Sequence, residues 1–80
     1  MKTYLFRVDL MEEEDGRWSA TIPTLPGCAT WGYTKEEALD SLREAAQAYM
    51  EVLVEEGRPL PKEPEESVEI IPSPAVAVTL

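Results

Sequence analysis

Histidine is absent from this 80-residue chain, and cysteine occurs once, at Cys28. The commonest acid–base group and metal ligand is therefore missing, and with it every Cys–His nucleophile pair and every usual zinc pattern. A single thiol has no partner for a disulfide, which predicts a reduced, intracellular setting. No run of about 18 apolar residues exists, so no membrane-spanning segment is expected. The Met1–Arg7 start has no apolar stretch long enough for a secretion signal, making the cytoplasm the expected location. Basic residues are few: seven Lys and Arg against sixteen Asp and Glu, a net charge of −9. Such a field repels phosphate backbones and argues against direct nucleic-acid contact. It either steers the chain toward basic partners or is simply a solvated, solubilising surface. Neither phosphate-cradling glycine motif, G-x-x-x-x-G-K-[ST] or G-x-G-x-x-G, occurs, and the G-x-S-x-G elbow is absent as well.

What is present is a pattern of strands around one helix. Over residues 3–11, Tyr4, Phe6, Val8 and Leu10 alternate with Thr3, Arg7 and Asp9, as in a half-buried strand. Leu5 and Met11 interrupt the polar side and predict partial cover there. Glu12-Glu13-Glu14-Asp15-Gly16 ends in a hairpin signal, and residues 17–22 alternate again with Trp18, Ala20 and Ile22 in phase. Pro23 to Gly27 must turn. Cys28 to Tyr33 reads as a third strand, in which Gly32 marks a bulge or a close approach by another element.

Thr34 and Glu37 form a capping box, the Thr34 hydroxyl accepting from the helix and Glu37 reaching back to the Thr34 N–H. Behind it, Ala38, Leu42, Ala46, Met50 and their neighbours make one apolar stripe, with Lys35, Glu36, Asp40, Arg43, Glu44, Gln47 and Glu51 opposite. Gly57 and Pro59 end the helix. Roughly 22 helical residues span about 33 Å, longer than a six-residue strand, so part of the helix overhangs the sheet or meets another subunit. Arg58 to Glu66 reads as a loop and Val68 to Ile71 as extended. Ala75 to Leu80 resumes the extended run after Pro72 and Pro74.

The expected fold is α+β: a three- to four-stranded antiparallel sheet with one long helix on one face, in the order β-β-β-α-β. It fills a single domain over residues 1–80. One helix covers one face. The other would carry Leu5, Met11, Ala29, Trp31 and Tyr33, which suits a homodimer or tetramer better than a monomer. Leu5, Trp31 and Tyr33, with Val76 and Val78 of the uncharged terminal strand, are the expected contacts between copies.

The chemistry that remains available is carboxylate chemistry. Glu12 to Asp15 lack the alternation of a calcium loop and read more readily as a charged hairpin tip, so no metal and no cofactor is expected. Nothing in the sequence brings Asp9 and Asp40 together as an acid–base pair. Cys28 has no identifiable base or cation beside it and reads as a small buried hydrophobe. Trp18, Trp31 and Tyr33 could stack on bases, but with seven basic residues in the chain, core or interface packing is the better reading.

Three segments in order resemble the HicB-like antitoxin pattern. They are Asp15-Gly16-Arg17-Trp18-Ser19-Ala20, Pro23-Thr24-Leu25-Pro26-Gly27-Cys28 and Gly32-Tyr33-Thr34-Lys35-Glu36-Glu37-Ala38, followed by Glu51 to Pro61 at the helix end. The resemblance runs from residue 3 to about residue 61. It implies a partial RNase H-like fold without a working catalytic set. It also implies a partner, a small basic HicA-like toxin that cleaves mRNA and is neutralised by occlusion. Many members carry a C-terminal DNA-binding domain, whereas no basic helix follows Leu60 here, so no separate DNA-binding domain is expected. Glu12, Glu13, Glu14 and Asp15, with Glu36, Asp40, Glu44 and Glu51, are the expected partner-binding residues. The alternatives are an orphan homo-oligomeric regulatory or structural module without a toxin, and a metal-dependent RNase H-like nuclease.

Overall fold

The computed structural model describes residues 3–61 and 74–80. Among these residues, five strands and one helix follow in the order β1 (Thr3–Arg7), β2 (Asp9–Glu12), β3 (Trp18–Thr21), β4 (Ala29–Gly32), α1 (Lys35–Glu55) and β5 (Ala75–Thr79). Every pairing is antiparallel. The expected α+β order holds, with one refinement. The single strand expected over residues 3–11 is divided at Val8, and its halves pair with different neighbours. β1 pairs with β5, and β2 pairs with β3, which pairs with β4. The division follows from the partners. The β5 ladder ends where the Val8 N–H donates to the Pro74 carbonyl at 2.9 Å, since Pro74 has no N–H to return. The β3 ladder begins one residue later, with Asp9 opposite Thr21.

Local chemistry sets the turns. In the hairpin between β2 and β3, the Gly16 N–H donates to the Glu13 carbonyl and Gly16 adopts φ +88°, a conformation that favours glycine. Pro23 to Gly27 reverses the chain as expected and buries Leu25, whose N–H bonds back to Ile22. The Thr34 hydroxyl caps α1 by accepting from the Glu37 N–H at 3.0 Å. Glu37 reaches back one residue further than expected, accepting from the Tyr33 N–H rather than that of Thr34. At the other end the Gly57 N–H bonds Val54 and the Arg58 N–H bonds Leu53, a Schellman closure with Gly57 at φ +68°.

The helix packs on one face of the strands. Ala38, Leu42, Ala46 and Met50 are fully buried against Tyr4, Phe6, Val8, Ala20, Ile22 and Cys28. Helix and strand backbones come close at Gly32. A Cβ there would stand 2.6 Å from the Ala38 nitrogen, so the close approach expected at this glycine is what the fold shows. The neighbouring Thr30 hydroxyl donates to the Ala38 carbonyl at 3.1 Å. Val76 and Val78 correct the sequence reading. Both are buried inside the subunit rather than presented to another copy, because β5 turns them toward α1 and leaves Ala75, Ala77 and Thr79 outside. The Val68–Ile71 extended segment and most of the loop before it lie outside the described residues.

Candidate docking face

The face of the strands turned away from α1 is built by alternation. Met11, Ser19 and Trp31 form one row across β2, β3 and β4, and Asp9, Thr21 and Ala29 form the next. Neighbours one position along, Ala20 and Gly32, point into the core. The uncovered row is apolar and aromatic: Met11 is 61% exposed, Trp31 52% and Tyr33, just past the end of β4, 69%. Leu5 continues the same face on β1 and is also exposed.

The aromatic pair is ordered by its neighbours. The Tyr33 ring meets Trp31 edge-on, with centroids 5.3 Å apart and planes at 86°. The Arg17 guanidinium lies 5.2 Å from the Trp31 ring centre. Asp15 fixes that guanidinium: its Oδ2 accepts from Arg17 Nε at 2.7 Å, and its Oδ1 accepts from the Arg17 backbone N–H at 3.0 Å. The backbone N–H first, then the guanidinium, hold the Asp15 carboxyl below its ordinary pKa of 3.8. A cation over an exposed ring is worth about 0.5–1 kcal/mol. Beside it runs a shallow groove of about 600 Å³, lined by Glu13, Glu14, Asp15, Arg17, Ser19 and Trp31. Aromatic, Met and Arg side chains rimmed by charge are the composition of a protein-docking surface.

Residues 6–77 match a family described as the HicB-like antitoxin of bacterial toxin-antitoxin systems. The chain belongs to the HicB-like antitoxin family. It is 37% identical over 65 residues to a UPF0150 protein of Thermoplasma acidophilum, covering 81% of this chain and 94% of that one. It is 43% identical over 60 residues to a UPF0150 protein of Synechocystis, covering 75% of this chain and 76% of that one. Among solved structures, the N-terminal domain of the Burkholderia pseudomallei antitoxin HicB matches with a TM-score of 0.71 at 22% identity, over 95% of this chain and 96% of that one. A structure of HicB from the same organism matches at 0.64 and 22% identity, covering this chain entirely and 64% of its own length. At that identity the two structures establish the shared fold.

In this HicB-like chain the acids singled out from the sequence do not form one cluster. Glu13, Glu14 and Asp15 line the groove. Glu12, opposite Trp18 in the register, belongs by alternation to the helix side of the sheet. Glu36 stands in the first helical turn, where a carboxylate complements the partial positive charge of the helix start. Asp40, Glu44 and Glu51 lie on the side of α1 opposite its buried stripe, hence across the molecule from the groove. Asp40 holds Arg43 at 3.3 Å, and Glu51 accepts from the Gln47 amide at 3.1 Å. Among the described residues, no three carboxylates or thiols are placed to share a metal ion. Asp9 and Asp40 stand on opposite sides and make no pair. No helix among these residues is long and apolar enough to cross a membrane. Cys28 is buried, and its thiol pKa is raised above the ordinary 9.0 by desolvation.

Sequence reasoning missed Arg17 and Ser19 as part of this surface. The signal was available: both alternate with Trp18 and Ala20, so they share the outward phase of Thr21.

Proposed function

We propose that this chain neutralises a small, basic HicA-like toxin by binding and occluding its RNA-binding and cleaving face, acting without catalysis of its own. It works in the cytoplasm as a homo-oligomer, by protein contact alone, with no direct hold on DNA. The observation that carries the reading is the juxtaposition of the Glu13-Glu14-Asp15 tip with the exposed Trp31–Tyr33 pair on the one sheet face that α1 does not cover. Carboxylates at a rim raise the encounter rate with a cationic partner, while desolvated aromatics at the centre hold the complex. The two kinds of group therefore separate kinetically. The helix acids Asp40, Glu44 and Glu51 act only through the long-range field, which salt screens over about 10 Å.

The test is inhibition of mRNA cleavage by a purified HicA-like toxin from the same genome. A stoichiometric amount of the chain is expected to abolish cleavage. Glu13→Lys combined with Glu14→Lys should slow association about tenfold at low salt and leave unfolding unchanged, whereas Trp31→Ala should speed dissociation. Undiminished cleavage in the presence of excess chain overturns the proposal.

A further inference from the structure

The groove beside Trp31 already holds one guanidinium. Arg17 sets its own 5.2 Å from the ring centre and gives its Nε to the Asp15 carboxylate at 2.7 Å. Ring and carboxylate therefore stand at the spacing such a group requires. The hold is light. The side-chain hydrogen bond runs through Nε alone, without the two-pronged fork that makes an arginine–carboxylate pair strong. Both side chains are also about half exposed, at 48% for Arg17 and 49% for Asp15, so solvent screens their attraction.

Charge along the groove is not balanced. The carboxylates of Glu13, Glu14 and Asp15 face the single guanidinium of Arg17, which leaves two negative charges over. Among the described residues, neither Glu13 nor Glu14 has an ion-pair partner. A groove of about 600 Å³ has room for a second cationic side chain beside the first. The chain's other cation–aromatic contact differs. Lys35 lies 5.4 Å from the ring centre of Trp18, a half-buried indole that shares the helix-side phase of Ala20.

We propose that this groove receives an arginine side chain from a basic protein partner, and that Arg17 is its placeholder, covering the Trp31 face in the free chain and yielding it on binding. Arginine suits the groove better than lysine, because a planar guanidinium stacks on an indole and still offers a fork to a carboxylate. The exchange is nearly even at the ring, where one guanidinium replaces another. The gain lies at Glu13 and Glu14, which Arg17 leaves unpaired. Arg17 thereby contributes to selectivity: a partner side chain that lacks a guanidinium must displace one without replacing it. This inference rests on the docking reading above and names the chemical group that the face receives.

Titrating the full chain with an end-blocked oligo-arginine peptide, and with its oligo-lysine counterpart, tests it at about 0.15 M salt. Calorimetry reads the affinity, and NMR of the indole N–H groups reads the place. Oligo-arginine should bind more tightly than oligo-lysine and shift the Trp31 signal, leaving that of Trp18 in place. Arg17→Ala is the deciding variant. It should tighten arginine binding about fivefold, because the ring no longer has to be vacated. Lys35→Ala removes the same charge from the other aromatic contact and should change the affinity by less than about twofold, which separates vacancy of the ring from net charge. Trp31→Leu, apolar but without the ring, should abolish the preference for arginine. An Arg17→Ala chain that binds more weakly, or gains no more than Lys35→Ala, overturns the placeholder. So does a Trp31 signal that stays unmoved, or no binding at all. Toxin inhibition is measured separately: if it persists alongside any of these failures, occlusion stands and only the arginine exchange falls.

Discussion

The two faces of the β2-β3-β4 sheet come from the same dozen residues, yet they do opposite work. On the helix side, Ala20 and Gly32 are small and fully enclosed, Thr30 is tied to the helix, and there is no room for an added methyl group at position 32. On the other side, Trp31 is the largest residue of its strand and lies half in solvent. The helix side thus keeps two small residues where the helix backbone comes close, while the outer side leaves its largest ring half in solvent. One side is therefore intolerant of added volume, and the other leaves apolar surface uncovered.

Substitutions that exchange the properties of the two faces break this comparison most sharply. Gly32→Val should have the largest effect, about 4 kcal/mol or more, because its side chain meets the Ala38 backbone rather than a movable side chain. In a domain this small that removes most of the stability, and urea titration should show a largely unfolded chain. Leu42→Ala, beneath the same sheet, empties a fully enclosed site and should cost about 3 kcal/mol by the same measurement. Trp31→Ala, far larger in volume lost, should cost less than about 1 kcal/mol, since it forfeits only the Arg17 and Tyr33 contacts of an exposed ring. A large loss there would mean the outer face is structural. The smallest effect is expected from pH. Burial raises the Cys28 pKa, so its contribution to stability is complete below the unfolded value of 9.0 and declines as pH rises past it toward the folded value. Thermal unfolding at pH 8 and pH 10 should show a decline that Cys28→Ala reduces.

Much of the architecture was legible in the residues because it is specified locally. Asp15-Gly16 makes the hairpin, Thr34 starts the helix, Gly57 ends it, and the period of each segment assigns its buried side. Gly32 was also readable, as a glycine inside an otherwise aromatic strand. What escaped depends on neighbours distant in sequence. The break at Val8 is set by Pro74, a residue without an N–H that stands just before β5. Val76 and Val78 alternate with alanines, and alternation alone cannot say which phase meets the helix; packing turned the larger side chains inward. Leu25 is buried from a proline-rich turn, where no period announces it. The candidate site was legible in kind, as an acidic tip and an uncovered aromatic face. That Glu13, Glu14 and Asp15 adjoin Trp31, whereas Asp40, Glu44 and Glu51 do not, required the packing of α1.

The β1–β5 ladder sets the order of events in time. Thr3 and Thr79 are 76 residues apart in sequence yet side by side, their hydroxyl oxygens 3.4 Å apart. On a ribosome β1 emerges early and must wait for β5, with Tyr4, Phe6 and Val8 uncovered in the interval. The hairpin and the helix can form meanwhile from local signals, but the core closes by a contact of long sequence separation, the slow kind. Translation therefore acts as a timer: the hairpin with its acidic tip can form early, and the ladder that covers Tyr4, Phe6 and Val8 is completed only after Thr79 has been made.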